Sequence, residues 1–266
     1  MGADTKALRT RIKSVRSTMH LTKAMGLVAS SKIRRAGESM RRAADYASAL
    51  TDMTEVLLAC PECGKSPYLR QEGDRTRLIV IAGDRGLAGG YNANVFRMVR
   101  EFPDAEILPI GKRACERYGK PFVSSETFSG EDAHAWAKTL CADFAAGAYD
   151  RLGIVYTRYV SMMTQETAVQ FILPLTRPDN PGPVSAVFEP DEVTVLQTAV
   201  PAYVAGMIAA AVRESFASEV AARRVAMDAA GKNASAMIDE LQLRYNRARQ
   251  SAITQEITEI VAGSGA

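Results

Sequence analysis

Alternating steps of four and three residues run through the first sixty positions of this chain. Leu8, Ile12, Val15, Met19, Thr22, Gly26, Ala29, Ile33, Ala36, Met40, Ala43, Ala47, Leu50, Thr54 and Leu57 fall on one stripe. A heptad seam this long predicts a helix that winds left-handedly around a partner, because a 3.5-residue period drifts around a straight helix. Pro61 ends it, since proline cannot continue a helix interior. Many seam positions are small, which lets two backbones approach near the low end of the roughly 8–10 Å interaxial range. Gly26 costs about 1 kcal/mol relative to alanine within a helix. Periodicity alone fits a plain two-helix hairpin just as well as a mechanical element.

The partner stripe lies at the other end. From Pro201 onward the chain has no further proline, and only Gly206, Gly231 and Gly263 weaken a helical reading. Sixty helical residues would span roughly 90 Å at about 1.5 Å per residue. A lone rod of that length would leave its apolar stripe wet. The expected organisation is therefore a coiled-coil helix over 1–59, a middle domain over 76–175, and a second coiled-coil helix over 201–266.

Between the rods the period changes. Short β-rich runs at Arg77–Ala82, Ala105–Ile110, from Phe122-Val123, at Leu152–Thr157 and at Thr167–Leu173 alternate with helical stretches at 91–102, 112–118 and 132–146. Strands alternating with helices predict an α/β domain of Rossmann-like, doubly wound, mostly parallel type. Residues 60–75 read as a surface linker, and 176–195, with four prolines, lead out of the domain.

The motifs give little chemistry. Asp84, Arg85, Gly86, Gly89 and Gly90 form a turn after the first strand, where a doubly wound fold would hold a ligand. Their glycine spacing matches neither a dinucleotide fingerprint nor a phosphate loop. A tight turn, with Asn92 or Asn94 capping the next helix, accounts for the residues equally well. Gly64-Lys65-Ser66 lacks the glycine and the preceding strand that a phosphate loop needs. Cys60 and Cys63 have the spacing of half a zinc site, but Cys115 and Cys141 stand apart, so no metal site is expected. His20 and His134 have no nucleophile at a telling spacing. No catalytic residue and no cofactor are expected.

The net charge of +3 is mild, and 47% hydrophobic residues are ample for a core. Residues 1–59 nevertheless hold eleven Lys/Arg against five acids, which suits an acidic neighbour. Aromatic residues are not interleaved with that charge, so nucleic acid is not expected. No run approaches the roughly 18 consecutive apolar residues of a membrane span, and the opening residues have no apolar signal core. Reduced thiols are expected.

Three blocks resemble the gamma-subunit family of the F-type rotary ATP synthases. They are Ile12–Val15 with Leu21–Lys32, then Asp84–Asn92, then Ser218-Glu219 with Arg223, Ala226-Met227 and Leu241–Gly263. They occur in the family's order and extend over essentially the whole chain. The resemblance implies an antiparallel coiled coil of the first and last helices with an α/β domain at its base. It further implies a non-catalytic central rotor shaft, turned by a membrane c-ring inside three alpha and three beta subunits and touching an epsilon subunit. By the same resemblance Lys23 and Met25 match a segment near the beta-subunit lever, and Arg223, Arg249, Gln250 and Thr254 match coupling positions on the last helix. A bacterial protein, peripheral on the cytoplasmic face of the cell membrane, is the expected setting. Ala88 departs from a common family cysteine, Gly26 from a usual polar residue, and Cys60/Cys63 are not a family feature. The alternative is a nucleotide-dependent α/β enzyme whose rods only dimerise it.

Overall fold

The computed structural model describes residues 3–71, 73–178 and 186–264. In chain order its elements are α1 (Ala3–Ala59), β1 (Thr76–Ile81), α2 (Tyr91–Val99), β2 (Glu106–Ile110), α3 (Lys112–Tyr118), α4 (Gly130–Ala145), β3 (Arg151–Tyr159), β4 (Gln165–Leu173) and α5 (Glu192–Ser264). The chain divides into two compact units, Met1–Ala29 with Arg223–Ala266, and Ser30–Ala222. Both long helices contribute to both units.

Within the first unit α1 and α5 pair along the seam. A Cβ on Gly26 would meet Met227 and Arg224, and one on Gly231 would meet Thr22. Val15 clusters with Ala234 and Ile238, and Ile12, Met19 and Leu241 pack beside them. Lower numbers on α1 meet higher numbers on α5, so the pair is antiparallel. The heptad reading holds along the whole of α1: all fifteen seam positions from Leu8 to Leu57 are buried or half-buried, while most of their neighbours are exposed. Burial fades at the C-terminal end of α5, where Ile253, Ile257, Ile260 and Val261 are exposed.

The second unit holds a four-stranded sheet in the order β2-β1-β3-β4. β1 pairs in parallel with β2 and β3, and β4 joins β3 as an antiparallel hairpin. Alternation along β1 serves two cores. Ile79 and Ile81 face a large cluster with α4, the end of α1 and the start of α5. Leu78 and Val80 face a smaller one with α2 and α3. The α4 helix starts on a capping box, in which Ser129 and Asp132 satisfy each other's backbone N–H groups.

Three expectations need correction. No strand forms at Phe122-Val123. The Val123 carbonyl accepts from the Gly111 N–H at 2.7 Å and its own N–H donates to Cys115 Sγ, so a loop satisfies its backbone. The described part of 60–75 is no surface linker. It folds into 3-10 turns at Pro61–Lys65 and Pro67–Leu69, and Cys60, Cys63 and Tyr68 enter the main core. Burial there, with Glu192 and Glu62 also near, raises the Cys60 thiol pKa, and burial raises that of Cys63. Finally, α5 begins at Glu192, and Pro201 lies inside it. Asp191 caps the start, accepting from the Thr194 N–H at 2.8 Å. The lost bond at Pro201 is offset by Leu196, Val200, Val204 and Ile208, all fully buried in the core.

One 18-residue window within α5 has mean hydropathy 1.7, long and apolar enough by composition to cross a membrane, and half of it is buried inside the protein. The core residues just named account for that apolarity.

Phe144 is fully buried, stacked on Tyr68 and edge-on to Tyr149. Phe144→Ala is expected to destabilise the second unit by about 3–5 kcal/mol. Guanidinium unfolding followed by the fluorescence of Trp136, which packs on the same core, measures it.

Candidate functional site

The turn after β1 is built by one carboxylate. Asp84 Oδ1 accepts from the Lys112 N–H at 2.9 Å and the Ser125 N–H at 3.1 Å, and Oδ2 from Ser124 Oγ at 2.6 Å and the Glu126 N–H at 3.2 Å. Partial burial pushes the Asp84 pKa up, but the Ser124 hydroxyl and the three backbone donors outweigh it and hold the group below the usual carboxylate range. Glu126, fixed by this carboxylate, ion-pairs with Lys32 of α1 and reaches Arg85 at 3.7 Å. The expected helix cap differs from what forms. Gly90 is the N-cap residue of α2 and has no side-chain cap, whereas Asn92 Oδ1 accepts from the Gly83 N–H at 2.9 Å. Gly89 sits at φ 59°, in the left-handed region glycine tolerates. Leu87 adopts φ 62° with its side chain exposed.

The crevice beyond the carboxyl ends of parallel β1 and β3 is where an open α/β sheet holds its ligand. Here it is filled by α5. A Cβ on Gly83 would lie 2.7 Å from the Glu219 carboxyl, so the Glu219 side chain comes close against the backbone at the end of β1. The Tyr91 hydroxyl donates to the Ser215 carbonyl at 3.0 Å, and the Thr157 N–H to Ser215 Oγ at 3.0 Å. Ser215, Ser218 and Glu219 are all buried. This ligand position is therefore a joint between a helix and a sheet.

The six positions expected at subunit contacts all fall in the first unit, at two levels. Lys23 is exposed and Met25 half-buried, flanking the seam residues Thr22 and Gly26 that pack against Gly231, Met227 and Arg224. Half-buried Arg223 belongs to that level. Arg249, Gln250 and Thr254 form a second group, all exposed, with Thr254 Oγ1 donating to the Gln250 carbonyl at 3.0 Å. Arg223 and Arg249 stand roughly 39 Å apart along α5 at about 1.5 Å per residue, so they form no single site. Among the described residues no cluster of three His, Cys, Asp or Glu is arranged to hold a metal.

Sequence reasoning gave no role to Ser215, Ser218, Glu219 or the Lys32–Glu126 pair. Ser215, Ser218 and Glu219 do follow an i, i+3, i+4 spacing just after the most apolar stretch of α5, the pattern of polar groups on one helix face.

Comparison with known proteins gives a consistent picture. A family model described as ATP synthase matches residues 4–266. The chain is 39% identical over 282 residues to the ATP synthase gamma chain of Xanthomonas campestris pv. campestris, covering 98% of both chains. It is 38% identical over 290 residues to that of Ralstonia nicotianae, covering 99% of each. A chain in the OSCP/F1/c-ring structure of the Euglena gracilis mitochondrial ATP synthase shares the fold with a TM-score of 0.71 at 18% identity, over 100% of this chain and 95% of that one.

The Asp84 bonds carry a pH signature. A carboxylate whose pKa is depressed on folding adds stability that is present above its unfolded pKa and is lost as pH falls through the folded value. Asp84→Asn is expected to cost about 1.5–3 kcal/mol at neutral pH, the range for hydrogen bonds to a charged group. The gap between wild type and variant should close on acidification through and below the ordinary carboxylate range, as read by denaturant titrations at stepped pH.

Proposed function

Because the chain belongs to the family of ATP synthase gamma chains, we propose that it is the central rotor shaft of an F-type ATP synthase. The observation that carries this reading is the antiparallel pairing of the chain's two ends through a seam of small side chains, within a family match running from residue 4 to residue 266. The shaft turns within a ring of three alpha and three beta subunits, on a membrane c-ring and beside an epsilon subunit. It joins the cytoplasmic face of a bacterial cell membrane through that complex.

The proposed mechanism is a bias of populations. A lopsided shaft touches each beta subunit differently, so each orientation favours one beta conformation, and the nucleotide bound there favours that orientation in return. Lys23, Met25 and Arg223 form the proposed contact at one level, and Arg249, Gln250 and Thr254 at the other. Arg249 suits the second role: exposed, it presents a planar fork to a carboxylate, and among the described residues it has no ion-pair partner. Contacts of this kind must be weak, since the shaft has to leave each beta subunit in turn. Exposed ion pairs meet that requirement.

The chain itself performs no nucleotide chemistry in this reading. The alternative enzyme would need the crevice at β1 and β3, and Glu219 and Ser215 occupy it. Calorimetry of the chain with ATP or NAD separates the two readings, since only the enzyme gives saturable heat.

Two substitutions test the contact levels. Met25→Lys should leave folding intact, because the half-buried position lets a lysine stem lie along the seam with its charge outward. In membrane vesicles ATP hydrolysis should continue while the protons pumped per ATP fall several-fold, and normal pumping would remove Met25 from the contact. Arg249→Ala should change stability by no more than about 0.5 kcal/mol, as expected of an exposed site, yet lower the rate of ATP synthesis in the same vesicles.

A further inference from the structure

Most of the contact between α5 and the rest of its unit is apolar. Leu196, Val200, Val204, Ile208, Ala211 and Val212 fill the core without directional bonds. Such packing holds a helix close and resists its turning through interdigitated side chains, without the directional stiffness that hydrogen bonds add. One short stretch of α5 is different. Arg213 Nη2 donates to the Phe128 carbonyl at 2.7 Å and Nη1 to the Glu126 carbonyl at 3.5 Å. Glu214 Oε1 accepts from the Tyr159 N–H at 2.9 Å. Ser215 Oγ accepts from the Thr157 N–H and Ser218 Oγ donates to the Thr157 carbonyl, both at 3.0 Å. The Tyr91 hydroxyl donates to the Ser215 carbonyl.

We propose that residues 213–218 of α5 form a torsional clasp, the place where torque passes between the α/β domain and the shaft helix. The inference rests on the rotor reading and names residues that position the helix. The six bonds reach α2, β3 and the loop before α4, so they hold α5 from three directions within little more than one and a half turns. Ser215, Ser218 and Thr157 are at most 2% exposed, so water cannot replace a broken bond, and each bond keeps its directional stiffness. A helix held in this way cannot rotate about its own axis without breaking bonds to several elements together. The Asp84 carboxylate stiffens the same joint from behind, because it orders the loop whose Glu126 carbonyl and Glu126 side chain meet Arg213 and Lys32.

The test uses the intact rotary complex, immobilised through its alpha and beta subunits. A probe is attached to Lys138→Cys, an exposed position on α4, with the four native cysteines buried. The readout is the angular variance of the probe within each catalytic dwell. The variant Tyr91→Phe/Ser215→Ala/Ser218→Ala removes three of the six bonds. If the bonds act as parallel springs, losing three of them lowers the stiffness of the joint, and its angular variance rises by up to about two-fold. Val80→Ala, which opens the smaller core from β1, a strand that carries none of the six bonds, controls for general loosening and should leave the variance unchanged. Unchanged variance in the triple variant, or an equal rise in both variants, overturns the clasp. Should the triple variant not assemble, Tyr91→Phe alone gives a smaller rise that the control does not share, and the absence of a rise overturns the proposal. A wild-type complex that does not rotate contradicts the rotor reading itself, which is a separate failure.

Discussion

A helix with one apolar stripe is unstable in water until something covers the stripe, and everything in this protein follows from how α1 and α5 solve that problem for each other. Their seam is narrow. Thr22, Gly26, Ala29, Ala36 and Ala47 are all buried, so the backbones meet closely with little side-chain bulk between them. Each layer of small knobs buries limited apolar area, and stability must come from the number of layers. That explains the length of helices of 57 and 73 residues in a chain of 266. It also leaves most side chains on the outer faces of α1 free to meet other proteins.

The second unit supplies what a narrow seam cannot. There α5 joins a core with α4, the end of α1 and the sheet, and its Ser215, Ser218 and Glu219 enter the crevice that an open α/β sheet ordinarily offers to a ligand. A fold associated with nucleotide binding thus carries a helix where a ligand would be. Ser215 and Glu219, which occupy that crevice, also attach the helix to the sheet.

The seam was legible in the sequence because a heptad pattern repeated from Leu8 to Leu57 is set by local spacing and needs no knowledge of the partner. β1, β2, β3 and β4 were legible for a similar reason, since buried strands read as short β-branched runs between turn residues. What escaped depended on distant partners. Phe122-Val123 looks like a strand opening until Asp84 and Cys115, far off in sequence, bind that backbone in a loop. Pro61 correctly marked the end of α1 but said nothing of burial, and Cys60 and Cys63 proved to be core. Pro201 misled in the opposite sense, because packing around Val200 and Val204 outweighs the one bond a proline removes. Ser215 and Glu219 look like ordinary polar helix residues until the sheet they enter is known. Lys23, Met25, Arg223, Arg249, Gln250 and Thr254 were reached through family resemblance, and their roles depend on surfaces of other chains.

The pairing of the two ends can be tested by chemistry at one layer of the seam. A Cβ on Gly231 would lie 3.7 Å from Thr22 Oγ1, the position that the sulfur takes in Thr22→Cys, so the two substituted side chains would be in direct contact. In the assembled enzyme, Thr22→Cys with Gly231→Cys should form an intrachain disulfide under mild oxidation, seen as a mobility shift reversed by reductant. Thr22→Cys with Ile253→Cys should form none. A first pair that stays reduced while the second crosslinks would contradict the antiparallel register on which the account rests.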